Sequence, residues 1–147
     1  MTLEMFMSTD LVTIGPGDNL ATARELMHDR KIHHLPVVDD GNLVGLVTLT
    51  NVLAATDSIL RERDNRIHAS DIVIKDIMVT DVATVDEHAS LRQAALFLEK
   101  HRIGCLPVMG DGELKGIITD TDFVAVAINL LEQIEENDFE DDFDEAV

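Results

Sequence analysis

"IHHLPVVDDGNLVGLVTLTNVLA", Ile32 to Ala54, lies without a gap over "IGCLPVMGDGELKGIITDTDFVA", Ile103 to Ala125, when the chain is slid past itself by 71 residues. Leu35-Pro36-Val37 falls on Leu106-Pro107-Val108, Gly41 on Gly112, Gly45 on Gly116, and Thr48 on Thr119. Upstream, "MSTDLVTI" from Met7 falls on "MVTDVATV" from Met78. Self-similarity at a fixed offset marks one structural unit written twice.

Each unit reads in the same order. A short strand ("LVTI" or "VATV") precedes Asn19 or Ser90, residue types suited to an N-cap. Ser90 with Gln93 also fits a capping box. The following helix carries an apolar stripe, Leu20, Ala23, Leu26 and Met27 in one copy and Leu91, Ala94, Phe97 and Leu98 in the other. Two strands around "DDGN" or "GDGE" then form a hairpin, since Asp-Gly suits a tight turn. A second helix closes each unit, from about Asn51 and about Asp122. The expected class is α+β, a tandem β-α-β-β-α repeat. The boundaries are residues 5–55 for the first repeat, 56–74 for a linker, 75–131 for the second repeat and 132–147 for an acidic C-terminal tail. One unit of about fifty residues buries its apolar faces poorly. Two copies packed about a pseudo-twofold axis bury them together and leave equivalent clefts at the junction.

Composition narrows the function. The 147 residues are 46% hydrophobic, enough for a core. The formal charge is −18, which argues against nucleic acid as a partner. Nine acids and no bases fall between Glu132 and Glu145, so half of that charge sits in the tail, expected from Glu135 onward to be a frayed helix end and solvated. No stretch has the length of a membrane span, and the N-terminus lacks a signal pattern. The single cysteine, Cys105, fits a reducing, cytoplasmic setting and a small half-buried position rather than a redox role. Trp and Tyr are absent, which weakens any aromatic platform for bases.

The end of each second strand carries the chemistry. In "GIITDTDF", Gly116 permits a close approach, Thr119 closes the strand, and Asp122 stands in the first helical turn. A carboxylate there can accept both hydrogens of a vicinal diol, and the threonine hydroxyl can bond a sugar or phosphate oxygen. The same residues can equally serve as a helix cap and nothing more. The first copy has Thr48 but Asn51 in place of the acid. An amide has one acceptor oxygen and no charge, so unequal clefts are expected, with the Thr48/Asn51 side weak, empty or differently selective.

His28, His33 and His34 make a poor metal set, because adjacent strand residues point to opposite faces; no metal site is expected. Arg30, Lys31, Arg61, Arg63 and Arg66 read as solvated helix charges. No nucleophile–base triad, phosphate loop or dinucleotide fingerprint occurs, so no enzymatic activity is expected.

The duplicated "LPV", the Asp-Gly hairpin and the "GxxTxxD" ending resemble a pair of CBS domains (a Bateman module), from about Met5 to Leu131, and within that family the paired CBS domains of acetoin-utilisation-type proteins. The resemblance implies a regulatory module binding an adenosine-containing ligand, AMP, ADP or ATP, with S-adenosylmethionine as the alternative. It implies no required cofactor, with magnesium as a companion of polyphosphate. Homodimerisation is implied, and helix faces around Val52 to Leu60 and Val124 to Leu131 are candidate surfaces. A ligand-independent dimeric scaffold and a nucleotide hydrolase are the rival readings; a protein target is left unnamed. By the same resemblance, the Thr119/Asp122 cleft draws on Ile117, on Val12 and Thr13 for the adenine edge, and on His33 and His34 towards phosphate. The opposite cleft draws on Thr48, Asn51, Val82, Ala83, Gly104 and Cys105, with no imidazole, and Lys75 corresponds to a base that reaches phosphate in some members.

Overall fold

The computed structural model describes residues 1–61 and 66–145, with side chains to residue 138. Five α-helices and two small sheets make a mixed α+β fold. In the first half, α2 (Leu20–Arg30) is followed by the antiparallel pair β1 (His34–Asp39) and β2 (Asn42–Thr48), then by α3 (Leu49–Arg61). In the second half, β3 (Val85–Asp86) and α4 (Leu91–His101) lead into β4 (Cys105–Gly110), β5 (Glu113–Thr119) and α5 (Asp120–Glu145). A single turn, α1 (Leu3–Phe6), precedes everything.

Local chemistry sets these elements. Asn19 accepts the Thr22 N–H at 3.0 Å, and Ser90 and Gln93 form a reciprocal capping box at 3.0 and 2.9 Å. Both α2 and α4 end on a left-handed residue, Lys31 (φ 54°) and Arg102 (φ 51°). Both hairpins turn on Asp-Gly with positive φ at both residues, 51° and 82° in one, 52° and 75° in the other. That pair of dihedrals matches the right-handed twist of the flanking strands. The apolar stripes face inward with one exception: Phe97 is 36% exposed and stacks on His101, one turn later, with ring centroids 4.2 Å apart.

The short first strand of each unit shrinks almost to nothing. Ile14 makes a single parallel bridge to Val37, and β3 keeps two residues beside β4. The cause lies just upstream, where the chain crosses to the other half. Ser8 exchanges backbone hydrogen bonds with Ile117 of β5 at 2.9 and 3.0 Å, and Val79 does the same with Leu46 of β2 at 2.8 and 2.9 Å. Between the crossing point and the home strand, no neighbour remains to pair with.

The crossing accounts for Gly45 and Gly116. A Cβ on Gly116 would stand 2.9 Å from the Ser8 carbonyl oxygen, and one on Gly45 would stand 2.9 Å from that of Val79. The Met7 and Met78 sulfurs come equally close or closer, so what these glycines admit is the Met-led crossing segment of the other copy, side chain and backbone together. The cores interlock accordingly: Ile74 is fully buried with Leu20, Leu35 and Val47, while Leu3 is fully buried with Leu106, Val108 and Ile118. Each such side chain stabilises the pairing of halves by about 1.5–3 kcal/mol.

The acidic end departs from the expected fraying, since α5 continues as helix to Glu145. No Pro or Gly interrupts it, and Gln133 donates to Asn129 one turn back at 3.0 Å. Arg63, read above as a solvated helix charge, lies outside the described residues. No helix among the described residues is long and apolar enough to cross a membrane.

Candidate functional site: two related clefts between the halves

Two clefts lie where the halves meet. The first, about 380 Å³, is walled by Ser8, Asp10, Leu11 and Val12 from the crossing segment and by Lys31 to His34 before β1. Ile117, Thr119, Asp120, Thr121 and Asp122 close it from β5 and α5. The second, about 440 Å³, is its pseudo-twofold counterpart, with Val79, Asp81, Val82 and Ala83, then Arg102 to Cys105, then Leu46, Thr48 and Thr50.

The first cleft brings together Ile117, Val12, His33, His34, Thr119 and Asp122; Thr13 is exposed and does not line it. The second brings together Thr48, Val82, Ala83, Gly104 and Cys105. Asn51 and Lys75 are not in its wall, and the Lys75 N–H is bonded to the Pro16 carbonyl at 3.1 Å. The expectation that the second cleft lacks an imidazole is corrected: His34 lines both clefts, because its strand runs along the shared boundary. Lys31, read as a solvated helix charge, is exposed and also lines the first cleft, as the exposed Arg102 lines the second. Both occupy the left-handed turn that ends a helix, beside the junction. Their matching offset was the available signal, as it was for Asp10 and Asp81.

Asp122 caps its helix with one oxygen and leaves the other free of hydrogen bonds among the described residues. Oδ2 accepts the Thr119 N–H at 2.8 Å and the Thr119 hydroxyl at 3.3 Å, which is the cap. Oδ1 has no hydrogen-bond partner among the described residues, and Asp122 lines the cleft. In the first copy, Asn51 Oδ1 accepts the Thr48 N–H and hydroxyl, both at 2.9 Å, and the Asn51 N–H donates to Thr48 Oγ1 at 3.2 Å. The cap there consumes the only side-chain acceptor and leaves an NH₂ donor. The backbone opposite is equally telling. No backbone hydrogen bond engages residues 10–13 among the described residues, so the Val12 amide and carbonyl are open to a partner at the cleft wall.

Charge differs between the clefts. Burial lowers the pKa of His34 below its ordinary 6.5, although nearby Asp120 pulls the other way, so the imidazole is neutral at pH 7. The Cys105 thiol is pushed up to about 12 by burial, with Asp120 and Asp122 adding to the effect, which removes any thiolate chemistry near neutrality. No cluster of three or more His, Cys, Asp or Glu side chains among the described residues is placed to hold a metal.

Comparison with known proteins settles the family. The CBS domain matches residues 3–58 and 74–129. The chain belongs to the CBS domain family, as a pair. A CBS domain-containing protein of Dictyostelium discoideum is 31% identical over 141 residues, covering 90% of this chain and 94% of that one. Inosine-5'-monophosphate dehydrogenase of Korarchaeum cryptofilum is 33% identical over 120 residues; 81% of this chain matches, and it spans only 23% of that enzyme. Among solved structures, a putative acetoin utilization protein from Vibrio cholerae superposes with a TM-score of 0.78 at 39% identity, covering 92% of this chain and 96% of that one. CBSX2 in complex with AMP superposes with a TM-score of 0.73 at 30% identity, covering 88% and 97%. A CBS domain pair in complex with 5'-methylthioadenosine and S-adenosyl-L-methionine superposes at 0.73 with 25% identity, covering 86% and 98%.

Proposed function

We propose that this CBS pair is a non-catalytic sensor that binds an adenine nucleotide in the Thr119/Asp122 cleft. The observation that carries the reading is that one cleft is lined both by Asp122, whose Oδ1 is unpartnered among the described residues, and by Val12, whose backbone makes no hydrogen bond to another described residue. A ribose diol suits the carboxylate oxygen, and an adenine edge suits alternating backbone donor and acceptor. His33, His34 and Lys31 supply donors for phosphate. The relatives bound to AMP and to S-adenosylmethionine support the ligand class.

The output follows from where the cleft residues sit. Asp122 stands in the first turn of α5, while Val12 belongs to the segment tied to the first half. A ligand spanning both fixes α5 relative to that half. It shifts the population of module shapes by its differential affinity for them, typically about 1–3 kcal/mol. The helices so moved carry unpartnered apolar side chains, Leu53 and Leu60 on α3 and Val124, Ile128 and Leu131 on α5. A second copy of the chain is the natural cover for these rows.

Isothermal titration with AMP, ADP, ATP and S-adenosylmethionine tests the reading. Saturable binding of at least one ligand at one site per chain is the expected result. Absence of binding across the panel, with no thermal stabilisation, would overturn it in favour of a ligand-independent scaffold.

A further inference from the structure

We infer that Asp120 sets how many phosphates the first cleft accepts, favouring a nucleoside monophosphate over a triphosphate. The inference rests on the nucleotide reading of that cleft and adds a selectivity that the reading does not contain. Asp120 is the first residue of α5, between Thr119 and Asp122, and lines the cleft. Its counterpart in the other copy is Leu49.

The backbone at the two positions does the same work. The Asp120 N–H donates to the Gly104 carbonyl at 3.0 Å, as the Leu49 N–H donates to that of His33 at 2.8 Å. Among the described residues the Asp120 side chain bonds only its neighbour's amide, accepting the Thr121 N–H at 2.9 Å. The fold therefore runs through this position without a carboxylate, and the charge is an addition on the cleft side. Its Oδ2 stands 3.3 Å from where a Cβ on Gly104 would lie, with His34 Nε2 3.4 Å from the same point, so carboxylate and imidazole sit together at the boundary of the two clefts.

The balance of charge gives the direction. Asp10, Asp120 and Asp122 face the first cleft against the one lysine, Lys31, with His34 neutral at pH 7. The second cleft sets Asp81 against Arg102. A start of a helix ordinarily favours phosphate, but here the first side chain of α5 is itself an anion. One phosphate placed towards Lys31 and His33 is tolerated. Two more must lie along the Asp120 side or extend into solvent.

The test compares AMP and ATP by isothermal titration in magnesium-free, low-salt buffer. The proteins are wild type, Asp120→Asn, Asp120→Leu (the residue type of the other copy) and Glu132→Gln, which lowers net charge away from the cleft. Both Asp120 variants are expected to tighten ATP by about 3- to 10-fold while moving AMP by less than about twofold. The gain should shrink in high salt, and Glu132→Gln should leave the ATP-to-AMP ratio where it was. AMP binding with an ATP-to-AMP ratio unaltered by either Asp120 variant would overturn the inference and leave the nucleotide reading standing. Failure of wild type to bind either nucleotide would overturn both.

Discussion

Asp122→Asn separates ligand binding from capping, because the protein already contains the outcome of that exchange. In the first copy Asn51 caps α3 through one oxygen, with bonds of 2.9 and 2.9 Å to Thr48. The carboxylate of Asp122 caps α5 with bonds of 2.8 and 3.3 Å to Thr119. Asparagine at 122 should therefore keep the cap. The loss in stability is confined to the attraction between an acid and a helix start, about 0.3–1 kcal/mol. Binding should suffer more. The free Oδ1 becomes an NH₂ donor, and a charge-assisted pair of bonds to the diol, worth about 1.5–3 kcal/mol, is lost. That corresponds to a dissociation constant about 10- to 150-fold weaker. Asp122→Ala removes both functions and should add the cost of a missing cap, about 1 kcal/mol, to the same loss of affinity. Urea unfolding of the unliganded proteins, alongside titration with AMP, reads the two quantities separately. An Asp122→Asn protein that binds AMP as wild type does would show that the carboxylate is only a cap. Equal stability losses in the two variants would show that the asparagine fails to take over the cap, against the reasoning from Asn51.

Three further outcomes follow from the same geometry. Gly116→Ala should destabilise by about 1–3 kcal/mol in urea, because the new Cβ meets the Ser8 carbonyl at 2.9 Å; wild-type stability would show that Ser8 does not cross onto β5. The Cys105 thiol has a folded pKa of about 12 against an ordinary 9.0, so the native state holds its proton longer than the unfolded chain. The thiol's stabilising contribution is thus complete below pH 9 and is lost as pH rises from there to 12, by up to about 4 kcal/mol. Denaturant melts at stepped alkaline pH should show this loss in wild type and not in Cys105→Ala; parallel curves would refute it. Light scattering after size exclusion should give a dimer that Leu131→Asp dissociates, since Leu131 is 56% exposed on α5; a wild-type monomer at all concentrations would remove the proposed cover for that face.

Much of the fold was legible because the duplication constrained it. Buried positions repeat: Leu35 and Leu106, Val37 and Val108, and Val47 and Ile118 are all fully buried at the shared offset. The hairpins and caps were legible because Asp-Gly, Asn19 and Ser90 act within four residues of themselves, and local chemistry survives in any tertiary setting. The crossing of Met7–Ser8 and Met78–Val79 was not legible. Two near-identical partners compete for each segment, and no single-residue preference distinguishes pairing with the home strand from pairing with the other copy's. Gly116 carried the signal of a close approach but not the identity of what approaches.

The cleft divides along the same line. Thr119 and Asp122 were found through spacing, whereas Lys31 and Arg102 were missed because charged residues at helix ends usually point to water. Both are exposed, and they join the cleft rims because the left-handed turn after each helix places them beside the junction. The copies differ at many offsets, Val44 against Lys115 and Asp39 against Gly110 among them, and four of the differences lie at or beside the clefts: His33 against Gly104, His34 against Cys105, Leu49 against Asp120, Asn51 against Asp122. Packing between the halves does not require these four, since the side chains that interlock the halves stay apolar in both copies, and among the described residues the Asp120 side chain makes no hydrogen bond beyond its own turn. A symmetric scaffold requires matching cores but leaves the cleft walls free to diverge. The substitutions that reach those walls give the two pockets different chemistry, carboxylates at 120 and 122 on one side and a small, thiol-bearing Gly104-Cys105 wall on the other, which is what different selectivity requires.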